Sequence, residues 1–201
     1  VASILTRATS INHDFISRLV KPGDKVVDAT VGNGHDTLFL ANLVGDTGKV
    51  YGFDIQEKAF EKAKNLLSEH NLADRVSFIL DGHENMGKYI NHPVKAIMFN
   101  LGYLPGGEHG IITKEETTIA ALKKSLSLLA TDGILSVVIY SGHQGGAEEK
   151  QAVENFFKGI PKNELHVVKI NHLNRQESSP YIILAQGSGS QKSDVGNQKS
   201  N

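Results

Sequence analysis

The 201-residue chain contains no cysteine, which excludes a disulfide framework, a thiolate zinc site and cysteine redox chemistry. It also lacks any apolar stretch approaching the roughly 18 residues that a membrane-spanning helix requires, and its N-terminus shows neither the charged nor the apolar region of a signal peptide. No charge of one sign dominates: 21 Lys and Arg stand against 22 Asp and Glu, for a formal net charge of -1 and a pI of about 6.8. A protein that grips nucleic acid chiefly through a broad basic surface is therefore disfavoured, while a local patch is not. From Gly187 onward the run GSGSQKSDVGNQKSN has one aliphatic residue and no aromatic, too little to offset the entropy of ordering it. The expectation is one folded domain over 1–186 and a disordered tail over 187–201, in a soluble cytoplasmic protein with no membrane partner and no metal.

Hydrophobic residues make up 39% and charged residues 21%, a balance that suits a globular domain of this length. An amphipathic N-terminal helix is predicted from Ile11, Phe15, Ile16 and Leu19. After the turn Lys21-Pro22-Gly23-Asp24, short β-branched runs alternate with longer amphipathic stretches. Strands are predicted over 25–29, 49–54, 75–80, 94–100 and 134–140, and helices over 36–44, 57–70, 117–130 and 147–158. Such alternation implies parallel βαβ units. The last two runs, 166–170 and 181–185, are joined only by the polar connector NHLNRQESSP, which predicts an antiparallel hairpin at the sheet edge. A seven-stranded sheet whose last strand runs antiparallel resembles the class I S-adenosylmethionine-dependent methyltransferase fold. The fold class expected is thus α/β and Rossmann-like, with helices on both faces, strand order 3-2-1-4-5-7-6 and ligands at the carboxyl ends of the strands.

Four segments carry chemistry. Asp28-Ala-Thr30-Val-Gly32-Asn33-Gly34-His-Asp36-Thr37 follows the first strand and opens a helix, where glycines admit close ligand approach and free N–H groups meet polar ligand atoms. Tight strand-to-helix turns use glycine pairs for purely structural reasons as well. Asp54, in Tyr51-Gly-Phe-Asp54-Ile-Gln56, ends the second strand, where one carboxylate can accept both hydroxyls of a ribose diol or, alternatively, cap the next helix. Asp81-Gly-His83-Glu84 ends the third strand: Asp81 is placed either at an adenine amino group or as a helix cap, and His83 in the same pocket. The fourth, Phe99-Asn100-Leu101-Gly102-Tyr103-Leu-Pro105-Gly-Gly107, resembles the Asn/Asp-Pro-Pro-Tyr motif of amino-group methyltransferases, with Leu101 and Gly102 in place of the two prolines. That likeness implies that the Asn100 side chain and the Leu101 carbonyl orient an amine while Tyr103 stacks on a base. The missing prolines weaken the case for exocyclic base amines.

Together DATVGNGHDT, YGFDIQ, DGHEN, FNLGYLPGG and NHLNRQESSPY resemble the rRNA methylase family, whose characterised members are bacterial tRNA methyltransferases of the MnmM type. The likeness spans about Ile4 to Gln186, with Val31 and His35 at positions where relatives can differ. It implies S-adenosylmethionine as cofactor and, as reaction, methylation of the aminomethyl group of 5-aminomethyl-2-thiouridine at the tRNA wobble position. The cofactor residues it implies are Asp28, Thr30, Gly32, Asn33, Gly34, Asp36, Thr37, Asp54, Gln56, Asp81, His83 and Asn100. For catalysis it implies Asn100, Leu101 and Tyr103, with Tyr103 also on the substrate; the further candidates for backbone or substrate contacts are Arg7, Lys114, His172, Asn174 and Arg175, the last alternatively in a solvated loop, and His143, in a segment that is either a pocket rim or a flexible helix entry.

The expected partner is a tRNA anticodon stem-loop, whose unpaired base enters the pocket. An aliphatic ammonium must lose its proton before it attacks, and Asp36, His83 and His143 are the candidate acceptors. Other readings are methylation of rRNA or of a small-molecule amine or hydroxyl, a nicotinamide oxidoreductase and a noncatalytic RNA-binding module. Thr37 at the third glycine position of the dinucleotide fingerprint argues against the oxidoreductase. Every amphipathic helix is explained by packing on the sheet, so assembly is not read from the sequence; a homodimer is the one oligomer considered.

Overall fold

The structure, a computed structural model, describes residues 4–102, 112–142 and 145–187. Seven strands form one sheet: β1 (Lys25–Asp28), β2 (Lys49–Asp54), β3 (Val76–Leu80), β4 (Val94–Leu101), β5 (Leu129–Ile139), β6 (Leu165–Ile170) and β7 (Tyr181–Gly187). Five helices, α1 (Ala8–Leu19), α2 (His35–Val44), α3 (Glu57–Glu69), α4 (Glu115–Leu128) and α5 (Gly146–Lys158), lie against it. The strand order is β3-β2-β1-β4-β5-β7-β6, with β7 antiparallel to both β5 and β6 and the other pairs parallel, as the alternation of runs and the helix-free connector predict.

Both faces of the sheet are covered, which is why the central strands read as continuous apolar runs. Successive residues go to opposite faces. Val27, Ile97, Phe99, Val137 and Ile183 join α4, α5 and the short helical turn His83–Lys88 in one core. Val26, Ala96, Met98, Val138 and Ile182 join α1, α2 and Leu67 of α3 in the other. The side chains of both sets are buried, and this burial is the main force holding the layers together.

Three local expectations shift. Helix α4 ends at Leu128 rather than 130, and β5 begins at Leu129 rather than 134, because Leu129 pairs with Val94 before a bulge brings Ile134 opposite Ala96. In α1 the buried stripe is Ala8, Ile11, Asn12 and Ile16; Phe15 falls beside it and is 40% exposed. Gly187, the first residue of the expected tail, pairs with Leu165 as the last residue of β7, and 188–201 lie outside the described residues. Among the described residues no helix is long and apolar enough to cross a membrane.

Candidate functional site

The chain order reverses between β1 and β4, and at their carboxyl ends the sheet opens into a cleft of about 550 Å³. A crevice at this switch point is where ligands bind in open α/β sheets, because the two neighbouring strand-to-helix connections diverge there to opposite faces. Its wall takes Thr30, Gly32, Asn33 and Asp36 from the turn after β1, Asp54 and Gln56 from β2, Asp81 and His83 from β3, and Asn100 to Gly102 from β4.

The turn after β1 is held from beneath. Asp28 is fully buried and accepts hydrogen bonds from the Thr37 hydroxyl at 2.6 Å and the Thr30 amide at 3.2 Å. Burial, reinforced by the negative charge of Asp36, pushes its carboxyl up to about 7. Asp28, Thr37 and Gly34 therefore support the turn from outside the cleft wall. Gly34 is irreplaceable on steric grounds: its φ is 84°, and a Cβ would lie 2.7 Å from Ala63 of α3. Gly32, at φ 53°, donates its amide to Asp54 Oδ2 at 2.9 Å.

Asp54 thus braces the turn as well as lining the cleft, since its other oxygen accepts the Gln56 amide at 2.9 Å. A carboxylate has about four acceptor positions, so these two bonds leave capacity for a diol. Asp81 accepts from Asn85 Nδ2, the Gly82 amide and the Tyr89 hydroxyl; the Asn85 bond leads in holding its carboxyl below the usual carboxylate range. His83 is kept neutral, its pKa lowered by burial. The Nδ1–H tautomer can donate to the Ala29 carbonyl at 3.2 Å, which leaves Nε2 as an acceptor.

At the end of β4 the Asn100 amide N–H donates to the Thr30 hydroxyl at 2.8 Å, and its Nδ2 donates to Asp36 Oδ2 at 2.6 Å. A carboxylate can only accept, so it selects the amide orientation that puts nitrogen toward Asp36. Asn100 Oδ1 is then buried with no hydrogen-bond partner among the described residues. A buried acceptor left this way costs about 1–3 kcal/mol, a penalty that a ligand N–H or O–H donor removes. The Leu101 carbonyl already accepts the Tyr140 amide at 3.0 Å and keeps one lone pair.

The next residues are clamped. Gly102 and Thr113 exchange backbone and hydroxyl hydrogen bonds, with Gly102 N–H to Thr113 Oγ1 and Thr113 N–H to Gly102 O both at 2.9 Å. Thr113 and Thr118 each donate a hydroxyl to the buried Glu149 of α5 at 2.7 Å.

Tyr103, Pro105, Gly107 and His143 lie outside the described residues. Lys114 lines the cleft, whereas Asn174 and Arg175 sit on the exposed β6–β7 connector away from it. There Arg175 donates to the Thr6 carbonyl at 2.7 Å and His172 meets the Leu5 carbonyl at 2.6 Å, so both tie down the segment before α1. Sequence reasoning missed Thr9, Tyr140 and Thr113 on the wall, and behind it Glu149 and His13. Tyr140 was the accessible one, as it directly follows the strand adjoining Asn100.

A family model described as "Putative rRNA methylase" matches residues 50–186. The tRNA (mnm(5)s(2)U34)-methyltransferase of Arabidopsis thaliana chloroplasts is 39% identical over 188 residues, covering 89% of this chain and 69% of that protein. A crystal structure from Clostridium thermocellum, described as a "putative rRNA-methylase", superposes with a TM-score of 0.88 at 50% identity, covering 91% of this chain and 98% of that one. A "putative methyltransferase" from Streptococcus mutans, solved in complex with SAH, gives 0.83 at 38% identity, with 91% and 99% covered.

Proposed function

The chain belongs to the rRNA methylase family, and on that premise we propose that it is an S-adenosylmethionine-dependent N-methyltransferase acting on 5-aminomethyl-2-thiouridine at the tRNA wobble position. The observation that carries the reading is the buried Oδ1 of Asn100, which has no partner among the described residues, beside a cleft of ligand size. An acceptor fixed in that way suits an amine better than a carbonyl or phosphate substrate, because an amine brings N–H donors.

The cofactor fits the residues present. Gly32 lets backbone approach it, Asp54 retains acceptor positions for a diol, and Asp81 and His83 stand where an adenine would lie. When bound, S-adenosylmethionine supplies an electrophilic methyl group on a sulfonium. The protein's part is positioning. Asn100 Oδ1 and the free lone pair of the Leu101 carbonyl accept two N–H bonds, which turns the amine's lone pair toward the methyl carbon for an in-line displacement. The amine must be neutral to attack, and neutral His83, through Nε2, takes the surplus proton, whereas both oxygens of Asp36 are already engaged. Tyr140, on the cleft wall, offers a ring surface to the base, the role that the motif resemblance gives to Tyr103.

The test is incubation with labelled S-adenosylmethionine and tRNA lacking the terminal methyl, followed by nucleoside mass spectrometry. A gain of one methyl on the aminomethyl nucleoside is expected; label in rRNA alone, or none in any RNA, overturns the substrate. The net charge of -1 favours a small-molecule amine or hydroxyl as the second reading, and a metabolite extract in the same assay separates the two.

A further inference from the structure

Asp36 is the second residue of α2, where its charge is favoured by the helix N-terminus. Its carboxylate is held from two sides, by Asn100 of β4 and by His13 of the first helix. His13 Nε2 lies 2.6 Å from Asp36 Oδ1, while Asp36 Oδ2 receives Asn100 Nδ2 at the same distance. The His13 ring stacks on Phe39 of α2, with centroids 3.7 Å apart and planes 3° from parallel, which fixes the ring that fixes the carboxylate. Helix α1 is itself held in register: the Ser136 hydroxyl of β5 donates to Asn12 Oδ1 at 2.6 Å, and both residues are buried. One turn earlier Thr9 lines the cleft.

We propose that His13 is a positioning residue for the methyl-transfer site, acting through Asp36 to hold the Asn100 amide with its oxygen open to the substrate amine. The proposal rests on the methyltransferase reading above for its catalytic consequence, though not for its geometry. An amide free to turn over would present N–H groups to the amine in part of the population, and those molecules could not orient it. The loss therefore falls on turnover rather than on cofactor binding.

His13→Ala is expected to lower kcat about tenfold, with the Kd for SAH nearly unchanged. His13→Gln, which keeps an N–H donor on a side chain of similar reach, restores most of the rate. In an Asn100→Ala background, His13→Ala costs nothing further, because the group it orients is gone. The arm independent of activity is the Asn100 side-chain amide resonance in 15N-labelled protein, which should move or broaden in His13→Ala and return in His13→Gln. An unmoved resonance overturns the proposal, as does additivity of the two alanine variants. If no RNA is methylated by the unaltered protein while the resonance behaves as expected, the substrate reading fails and the positioning stands.

Discussion

The two halves of the cleft are built differently. On the β1–β2–β3 side three acids are already engaged: Asp28, behind the wall, with Thr30 and Thr37, Asp54 with Gly32 and Gln56, Asp81 with Gly82, Asn85 and Tyr89. On the β4–β5 side Asn100 is held by two neighbours and still has its oxygen unmet among the described residues. The first half is braced without a ligand, with acceptor positions to spare on Asp54, and so binds by preformed shape. The second is finished by its ligand, and its unmet acceptor discriminates in favour of molecules that bring a donor.

The largest expected break in this contrast is Asn100→Ala, which should cut kcat about 10²-fold while leaving the Kd for SAH within about threefold. Calorimetry beside steady-state rates checks it, and a large loss of SAH affinity would erase the division. Asp54→Ala should do the reverse. It strands two backbone N–H groups and removes the diol acceptor, so SAH affinity falls about tenfold or more while kcat at saturation changes less. Glu149→Gln sharpens the picture on the β4–β5 side. It weakens the clamp on Gly102 and Thr113, and should cost about 1–2 kcal/mol in thermal stability and raise KM for RNA without altering SAH binding.

The smallest signal is a gradual one with pH. The Asp28 carboxyl sits at about 7 in the fold against an ordinary 3.8, so the folded state keeps a proton that the unfolded chain has already released. That contribution is fully present below pH about 4 and is lost as pH rises through about 7. Stability should thus slope downward over this interval, and Asp28→Asn should flatten the slope in melting curves taken at several pH values.

Much of this was legible in the chain. Short β-branched runs, their alternation with amphipathic stretches and the helix-free connector before Tyr181 are local signals, and the strand order follows from them with chirality and edge rules. The strand-end positions of Asp54, Asp81 and Asn100 are legible for the same reason. Which side chains of a turn face the cleft is not. Asp28 and Thr37 share a motif with Gly32 and Asn33 and yet lie behind it, because one-residue steps in the turn reverse the direction of the side chain. Contacts between distant segments left no trace either: His13 and Asp36 are 23 positions apart, and Asp36 and Asn100 are 64. The edge between α4 and β5 was misjudged because a bulge has no periodicity to read.

Helix α1 rests on β5 and β7, and the segment before it is stitched to the β6–β7 connector. On the ribosome, the helix carrying His13 therefore emerges long before the strands that seat it. Residues from Lys25 to Leu101 can begin to pair while α1 waits for β5 and β7 to be translated. A nascent chain stalled before Tyr181 would expose the edge of β5 and deprive its first helix, and the segment before that helix, of the contacts that β7 and the connector supply.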